Sequence, residues 1–247
     1  MTAHKEEKEM LYPYVSIDCV LLGIRDNKLC VLLVERKAKD GQSLGLKLPG
    51  SLVYDQEDLD EAASRILLEN AGLKKVEMKQ FRCFGSPSRT KNPEDVRWLE
   101  DTTNLHIGRI ITIAYLALCK TKRIKLPADS ETISVRWCPV DELPHLPFDH
   151  NEIIADTLKE IGRWVENEPT LVFSILSEYF TELELRRTME ILFNRKLDAR
   201  NFHKKFITLP YVVPTDKKEE LVQHRAARYY KFSKQLNNKK YIKPTKI

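Results

Sequence analysis

The sequence predicts a mixed α+β chain of two domains, and three observations support that prediction. Short apolar runs rich in β-forming residues alternate with helix-length amphipathic segments through the first two thirds of the 247 residues. Pro169 follows the last of these helices, and proline can neither continue a helix nor leave the preceding residue unrestricted. The charge then changes. Residues 181–247 hold 17 Lys and Arg against 7 Asp and Glu (net +10), while the remainder holds 24 against 29 (net −5).

These observations divide the chain into four segments. We expect a flexible N-terminus (1–13), a sheet-containing domain (14–168), a small basic domain (169–232) and a basic tail (233–247). Hydrophobic residues make up 42% of the chain, enough for a packed core, and no run of 18 apolar residues predicts a membrane span. The five cysteines form no C-x-x-C pair, so we expect free thiols in a cytoplasmic protein and no zinc site.

Turn and cap signals predict the elements of the first domain. Two β-rich runs flank Arg25-Asp26-Asn27-Lys28, which predicts a hairpin. Further strands are predicted at 77–84, 109–120 and 133–139, and helices at 58–70 and 152–166. Gly72 is expected to end the first of these helices. The polar segment 85–108 is rich in turn formers and predicts a long loop, an apparent insertion with a local role.

The second domain has the element order of a winged helix-turn-helix. Residues 171–180 predict a helix, and Thr181 with Glu184 forms a capping box for a second helix that ends near Phe193. Asp198 can cap a third helix, 199–209. Two short strands, 211–214 and 227–232, follow and flank a charged loop.

The third of these helices and the loop after it concentrate the basic residues. A helix of this kind fits the major groove of double-stranded DNA, where Arg and Asn can contact base edges, while cations on the wing contact phosphates. The candidate DNA-binding residues are Arg200, Asn201, His203, Lys204 and Lys205 on the helix, and Lys217, Lys218, Arg225 and Arg228 on or near the wing. The plainer alternative is a solvated basic face.

One segment of the first domain, 51–73, resembles the Nudix box G-x5-E-x7-R-E-U-x-E-E-x-G-U, in which U is apolar. It reads SLVYDQEDLDEAASRILLENAGL. Glu57, Arg65, Glu69 and Gly72 are in register with the box, whereas Ser51, Ile66 and Asn70 replace its first glycine and two of its glutamates.

The resemblance implies a site that has lost its chemistry. Nudix enzymes hold Mg²⁺ with glutamates of this helix, and Mg²⁺ needs oxygen ligands in near-octahedral geometry. Ile66 offers no oxygen and Asn70 offers a neutral one, so of the three clustered glutamates only Glu69 remains. We therefore expect a vestigial box, no catalytic residue and no metal or other cofactor, with Mg²⁺ needed only if hydrolysis persists.

The whole arrangement resembles the Nudix-related transcriptional regulators of the NrtR and AraR type, which sense ADP-ribose or sugars. The resemblance rests on the box, on the segments FRCFGSPSR, GRIITIAYLAL and LPFDHNEII, and on FTELELRRTMEILFNRKLDARNFHKKF. It implies a Nudix-like α/β/α sandwich followed by a winged helix-turn-helix domain, a homodimer, a DNA operator and a small-molecule effector. A sugar or nucleotide-sugar metabolite is favoured as effector. The effector-binding candidates are Arg36, Arg82, Arg89 and Arg109.

Two alternatives remain open at this point. An active Nudix hydrolase of ADP-ribose-like nucleoside diphosphate derivatives would use Glu57 and Glu69 as its remaining Mg²⁺ ligands. A structural or RNA-binding protein would instead depend on the basic tail from Lys231 onward.

Overall fold

The computed structural model describes residues 11–38, 40–121, 132–220 and 226–235, with side chains from residue 14. The chain divides into two compact units. The N-terminal unit comprises residues 1–22, 30–117 and 122–157, and the C-terminal unit comprises residues 23–29, 118–121 and 158–247. Most of the expected flexible N-terminus, and residues 236–247 of the basic tail, lie outside the described residues.

A seven-stranded sheet forms the framework of the first part of the chain. Its main path has the order β3-β2-β1-β6-β5, with β4 paired to β1 and β7 paired to β2. The strands are β1 (Leu11–Arg25), β2 (Lys28–Lys37), β3 (Ser43–Lys47), β4 (Gly50–Tyr54), β5 (Lys79–Phe84), β6 (Ile111–Leu118) and β7 (Val135–Pro139). The predicted hairpin is confirmed, and its turn residues Asp26 and Asn27 have positive φ (51° and 60°), as a tight two-residue turn requires.

The described part of the chain up to residue 167 also contains the helices α1 (Leu59–Ala71), α2 (Pro93–Thr103) and α3 (His150–Asn167). The predicted helix α1 is confirmed. It begins with a capping box between Asp58 and Glu61 and ends at Gly72, whose φ is 61°. Its buried stripe includes Ile66. No helix among the described residues is long and apolar enough to cross a membrane.

The prediction of a plain loop over 85–108 is wrong. The segment contains a 3-10 turn, Pro87–Thr90, and the helix α2. Asn92 caps α2 by accepting a hydrogen bond from the Glu94 amide, and Pro93 occupies the first helical turn, where its missing N–H costs nothing. Asn92 and Pro93 suggested a loop because both residue types are common in turns. Here they mark the start of a helix.

The C-terminal unit contains β8 (Tyr179–Phe180), α4 (Glu182–Phe193), α5 (Ala199–Phe206), β9 (Val212–Lys218) and β10 (Arg228–Phe232). Its three strands pair in the order β8-β10-β9. Helix, turn, helix and a β-hairpin wing follow one another as predicted, so the α+β class with a winged second unit is confirmed. The capping box of Thr181 and Glu184 is also confirmed.

One element of this unit was predicted wrongly, and β9 runs to Lys218 rather than ending at residue 214. The segment 171–180 is not a helix, because it consists of a 3-10 turn (Pro169–Ser174) and then β8. The two residues of β8 pair with Tyr230 and Lys231 of β10, which accounts for the strand at the end of the segment. Helix α5 ends at Phe206 rather than at Leu209.

Aromatic rings fill the core of the C-terminal unit. Phe173 stacks on Phe232 at 4.4 Å between centroids, and Phe206 meets Tyr230 edge to face at 4.7 Å. Phe202 and Phe206, one turn apart on α5, are both buried in this core. The opposite face of α5 is therefore the face available to a partner.

A buried carboxylate fixes the turn between α4 and α5. Glu190 accepts hydrogen bonds from the Leu197 amide and from Arg186, both at 3.0 Å. Burial alone would raise the pKa of Glu190, but the Leu197 amide and the neighbouring cations hold that pKa below its usual range. The angle at which α5 follows α4 thus depends on a charged group that is fully hydrogen-bonded.

Strands β1 and β4 approach unusually closely at Gly50. The strand register places Gly50 opposite Asp18. A β-carbon added at Gly50 would lie 2.2 Å from Asp18 Oδ1 and 2.8 Å from the Ile17 carbonyl oxygen. Only glycine is compatible with this backbone approach.

Replacing Phe206 by Ala should destabilise the C-terminal unit by about 3–5 kcal/mol, because it leaves a cavity in the aromatic core. Native-state hydrogen exchange of the α4 amides would measure the loss. Ile207→Ala is the matched control, since the Ile207 side chain is 63% exposed. Equal losses in the two variants would contradict this description of the core.

Gly50→Ala should destabilise the N-terminal unit by about 1–3 kcal/mol, because the methyl group forces β4 away from Asp18. Urea denaturation monitored by tryptophan fluorescence would measure the change. Gly108→Ala is the control, since a β-carbon there meets nothing within 4 Å. A Gly50→Ala protein as stable as the Gly108→Ala protein would refute the close approach.

Candidate functional site

A cavity of about 680 Å³ lies in the N-terminal unit. Its size is that of a small-molecule or cofactor site. Strands β1 to β4, helix α1 and helix α2 all contribute to its lining. Among the lining residues are Ser16, Arg36, Lys47, Asn70, Arg89 and Trp98. The cavity thus combines cations with the carboxylates of Asp18, Glu35 and Glu69 and with the rings of Tyr54, Trp98 and Phe148.

The last residue of β3, Lys47, is buried beside the box helix. Its Nζ donates to the Gly50 carbonyl oxygen at 2.6 Å and to Asn70 Oδ1 at 3.4 Å. Asn70 Oδ1 also accepts a hydrogen bond from the Gly50 amide at 3.2 Å. Lys47 is only 8% exposed, so its ammonium is held at the wall of the cavity rather than in bulk solvent.

The box residues that match the Nudix pattern form one ionic cluster. Arg65 donates to both carboxylate oxygens of Glu57, at 2.8 and 2.5 Å, and to Glu69 at 3.0 Å. Glu57 also accepts from the Tyr54 amide at 2.7 Å. Burial alone would raise the pKa of Glu57, but Arg65 and this amide hold the pKa below its usual range. Glu57 and Arg65 therefore brace the loop against α1.

The positions that depart from the pattern differ in placement. Ile66 is fully buried in the core, and Asn70 lies at the cavity wall with Lys47. Glu69 is half-exposed and bound to Arg65. Over the described ranges, no group of three or more His, Cys, Asp or Glu side chains is arranged to hold a metal ion.

A second ionic network lies deeper in the same unit. Asp18 lies within 3.3 Å of His150 Nε2, and it accepts hydrogen bonds from Arg89 at 3.1 Å and from Thr112 at 2.8 Å. Arg89 also donates to Asp149 at 2.5 Å. Burial alone would raise the pKa of Asp18, but His150, then Arg89 and Thr112, hold that pKa far below its usual range. The buried carboxylate is therefore ionised.

Two buried polar atoms of this region have no hydrogen-bond partner among the described residues. They are Ser16 Oγ and Arg89 Nε, and both residues line the cavity. Buried donors and acceptors in folded proteins are nearly always hydrogen-bonded, so an exception calls for an explanation. A polar ligand or ordered water in the cavity would satisfy both atoms.

Helix α2, within the apparent insertion, supplies the aromatic wall. The Trp98 ring lies 5.2 Å from the Arg36 guanidinium and 5.7 Å from Lys47 Nζ, measured to its centroid. Trp98 Nε1 donates to the Lys37 carbonyl oxygen at 3.3 Å, and Arg36 donates to Asp95 of the same helix at 2.8 Å. The insertion therefore borders the cavity and positions its cations.

The four arginines predicted to bind the effector are not all at the cavity. Arg36 and Arg89 line it, and both already hold carboxylates. Arg82 pairs with Asp156, and Arg109 donates to the Gly85 carbonyl oxygen; neither is among the lining residues. That the four arginines bind the effector stays a prediction.

Sequence reasoning missed Lys47, Asp18 and His150. A signal existed for two of them. Lys47 directly precedes the LPG turn that leads into the box, and His150 lies in the segment LPFDHNEII. No local pattern identified Asp18, because within its strand it is one polar residue in an apolar run.

In the C-terminal unit, α5 exposes all five of its predicted DNA-binding residues: Arg200, Asn201, His203, Lys204 and Lys205. His203 Nδ1 lies 2.8 Å from a Glu182 carboxylate oxygen, so this side chain already has a partner on α4. The other four extend from one helix whose opposite face is packed into the core. The geometry is that of a recognition helix.

The wing is the hairpin of β9 and β10. Lys217, Lys218 and Arg228 are exposed toward its tip, and Arg228 is paired in register with Lys218. Lys217 Nζ lies 4.0 Å from the centroid of the Tyr179 ring. Arg225, also predicted to bind DNA, lies outside the described residues. The wing follows α5 in the chain and adds positive charges, which are suited to contact with phosphates.

Comparison with known families agrees with both halves of this description. A family model described as NUDIX domain matches residues 13–161, and one described as NrtR DNA-binding winged helix domain matches residues 172–232. Among solved structures, Shewanella oneidensis NrtR complexed with a 27mer DNA has a TM-score of 0.67 and 24% identity, covering 89% of this chain and 93% of that chain. At that identity, the likeness concerns the fold.

Two curated proteins are similar in sequence. A protein of Acinetobacter baylyi named ADPR responsive transcriptional repressor NtrR is 24% identical over 237 residues, or 94% of this chain and 87% of that protein. An ADP-ribose pyrophosphatase of Methanocaldococcus jannaschii is 27% identical over 155 residues, or 63% of this chain and 79% of that protein. The first match covers nearly the whole chain and the second about three fifths of it.

The NUDIX model alone spans more than half of the 247 residues, and the box, the cavity and the basic recognition helix lie inside the matched ranges. The resemblance predicted from the sequence is confirmed: this chain belongs to the NUDIX family and carries an NrtR-type DNA-binding winged helix domain.

Proposed function

We propose that this protein is a ligand-responsive transcriptional regulator in which residues 14–168 bind a small molecule and residues 169–232 bind double-stranded DNA. One observation carries the proposal. The same chain holds a cation-lined cavity and, in a separate unit, a helix that exposes Arg200, Asn201, Lys204 and Lys205 on a winged-helix framework. An enzyme that only hydrolysed a metabolite would not need the second feature.

The effector we infer is a nucleoside diphosphate sugar of the ADP-ribose type. Arg36 and Lys47 beside Trp98 favour an anionic ligand over a neutral sugar, because cationic groups that line a cavity attract anions. A cavity of about 680 Å³ is within the range for such a molecule. The Acinetobacter relative, matched over 94% of this chain, is named for its response to ADPR.

The proposal excludes efficient hydrolysis. Ile66 has no oxygen and is buried, and Asn70 already accepts hydrogen bonds from Lys47 and from Gly50. These residues do not fit the octahedral oxygen shell that Mg²⁺ requires. The relative named ADP-ribose pyrophosphatase supports an ADP-ribose-like ligand for the NUDIX domain.

Regulation would follow from coupled equilibria in a homodimer. Two copies of α5 would contact two half-sites of an operator. A ligand that binds one arrangement of the dimer more tightly shifts the population toward it, and DNA and ligand then change each other's affinity by the same factor. We propose that the bound ligand weakens the affinity of the protein for DNA. Because it acts on DNA, the protein would work in the cytoplasm.

ADP-ribose should weaken binding to a selected duplex by about 5- to 150-fold, because it competes with the DNA-bound arrangement. The duplex would be selected from a random library, and affinity would be measured by fluorescence anisotropy at fixed salt. AMP, which lacks the diphosphate, is the control ligand. Failure to select any preferred duplex, or steady release of AMP and ribose phosphate from ADP-ribose, would refute the regulator.

Residues of α5 and of the wing should affect DNA binding differently. Arg200→Ala should cost about 1–3 kcal/mol and relax the sequence preference, as loss of a base contact does. Lys217→Ala should weaken all duplexes equally and reduce the slope of log K against log[salt] by about 1. Lys74→Ala, an exposed lysine of the N-terminal unit, is the matched control and should change neither quantity.

A further inference from the structure

We propose that Phe148 is a ligand-contact residue that selects ligands carrying a nucleobase, and that its ring stacks on that base inside the cavity. The inference rests on the proposed function only for the choice of an adenine nucleotide as the ligand. It goes beyond that function by specifying which part of the ligand is recognised and which side chain recognises it.

The backbone of Phe148 is strained. Its φ is 54°, and it is the first central residue of a turn that is closed by a hydrogen bond from the His150 amide to the Pro147 carbonyl oxygen at 3.3 Å. Positive φ at this position is usual for Gly, Asn or Asp, because a bulky side chain crowds the backbone in that conformation. Such strain concentrates at ligand sites and switches. A turn that served only to reverse the chain would not need phenylalanine here.

Two parts of the apparent insertion hold this turn in place. The Phe148 amide donates to the buried Asp95 of α2 at 3.2 Å, and Asp95 also accepts from Arg36 at 2.8 Å. The next residue of the turn, Asp149, accepts from Arg89 of the 3-10 turn at 2.5 Å. The strained conformation is therefore enforced by the surrounding structure, as a fixed ligand contact requires.

The Phe148 ring offers an aromatic surface next to an unused donor. The ring is only partly buried and belongs to the cavity lining. Its centroid lies 5.8 Å from the Arg89 guanidinium carbon, and Arg89 Nε is buried without a hydrogen-bond partner among the described residues. A heteroaromatic base has both complements, because its face can stack on a ring and its nitrogens can accept a hydrogen bond.

The charges around Arg89 favour a neutral acceptor over a phosphate. Its two terminal nitrogens donate to Asp149 and Asp18, and only Nε is left. Two carboxylates on one guanidinium leave no surplus positive charge, even with a protonated His150 beside Asp18. A phosphate would meet little attraction at this point, whereas a ring nitrogen of a base is neutral and accepts a hydrogen bond. This part of the cavity therefore fits the base of the ligand and not its diphosphate.

Isothermal titration calorimetry of the full-length protein with ADP-ribose and with AMP tests the contact, because both ligands carry adenine. Phe148→Ala should weaken both by the same factor, about 5- to 150-fold, which is the range for loss of a base stacked on an aromatic ring. Phe148→Tyr keeps a ring and should retain most of the affinity. Ribose 5-phosphate, which lacks the base, is the control ligand, and its titration should not respond to Phe148→Ala.

A stability measurement separates the ring from the backbone. Phe148→Asn also removes the ring but tolerates positive φ, so it should unfold about 2–4 °C above Phe148→Ala in differential scanning calorimetry. The two variants should nevertheless bind the adenine ligands equally weakly. If Phe148 had only a structural role, the affinity would rise together with the stability. Equal unfolding temperatures would refute the strain on which the proposal depends.

Adenine ligands that bind wild type and Phe148→Ala equally, or that bind neither protein at millimolar concentration, would overturn the base site. The two proposals fail separately. If ADP-ribose and AMP lose affinity in Phe148→Ala but ADP-ribose leaves DNA binding unchanged, the regulator is wrong and the base site stands. If ADP-ribose releases DNA equally from wild type and from Phe148→Ala, the regulator stands and the base site is wrong.

Discussion

The N-terminal unit depends on the close approach of β4 to β1 at Gly50. Because residue 50 has no side chain, its carbonyl oxygen can accept from Lys47 and its amide can donate to Asn70, while the strand opposite presents Asp18. The placement of three elements, β1, β3 and α1, therefore depends on the backbone at Gly50. A displacement of β4 would disturb the cavity wall and the buried ionic network together.

The charged side chains buried next to Gly50 reduce the stability of the fold unless each of them has a partner. Moving an ion out of water costs several kcal/mol even after relaxation, and a partner recovers that cost only with good geometry. Asp18 meets this condition through Arg89, Thr112 and His150. Such a network is weak evidence for stability and better evidence for a fixed arrangement, which a ligand site requires. The strands and helices supply the frame, and the network fixes its side chains.

Much of the fold could be predicted from the sequence because its signals are local. Several features depend only on residues within four positions of one another: the first turn of α1, its end at Gly72, the β1–β2 hairpin and the capping box of α4. The segment 171–180 could not be predicted in this way. Its apolar residues suit a helix, but its last two residues pair with β10, some fifty residues later, and no local signal indicates that pairing.

The candidate site was harder to predict for a related reason. The cavity brings together Ser16, Arg36, Lys47 and Trp98, which come from four separated parts of the chain. The sequence could not show that Arg36 and Arg89 line the cavity while Arg82 and Arg109 do not. Which side chains reach the cavity depends on how the sheet folds. The helix α2 was missed as structure, although the sequence had marked its segment as an insertion with a local role.

A motif search also misses substitutions that lie outside the motif. Asn70 within the box looks like simple loss, and Lys47 before the box looks like an ordinary lysine; only their 3.4 Å contact joins them. The pair bears on the proposed function. A bound Mg²⁺ can lower the pKa of a coordinated water and so produce the attacking hydroxide, and Asn70, which accepts hydrogen bonds from Lys47 and from the Gly50 amide, offers no charged ligand for such an ion. The regulator that we propose would therefore bind its ligand without cleaving it. That combination is what a sensor needs, because a signal molecule destroyed on binding could not report its own concentration.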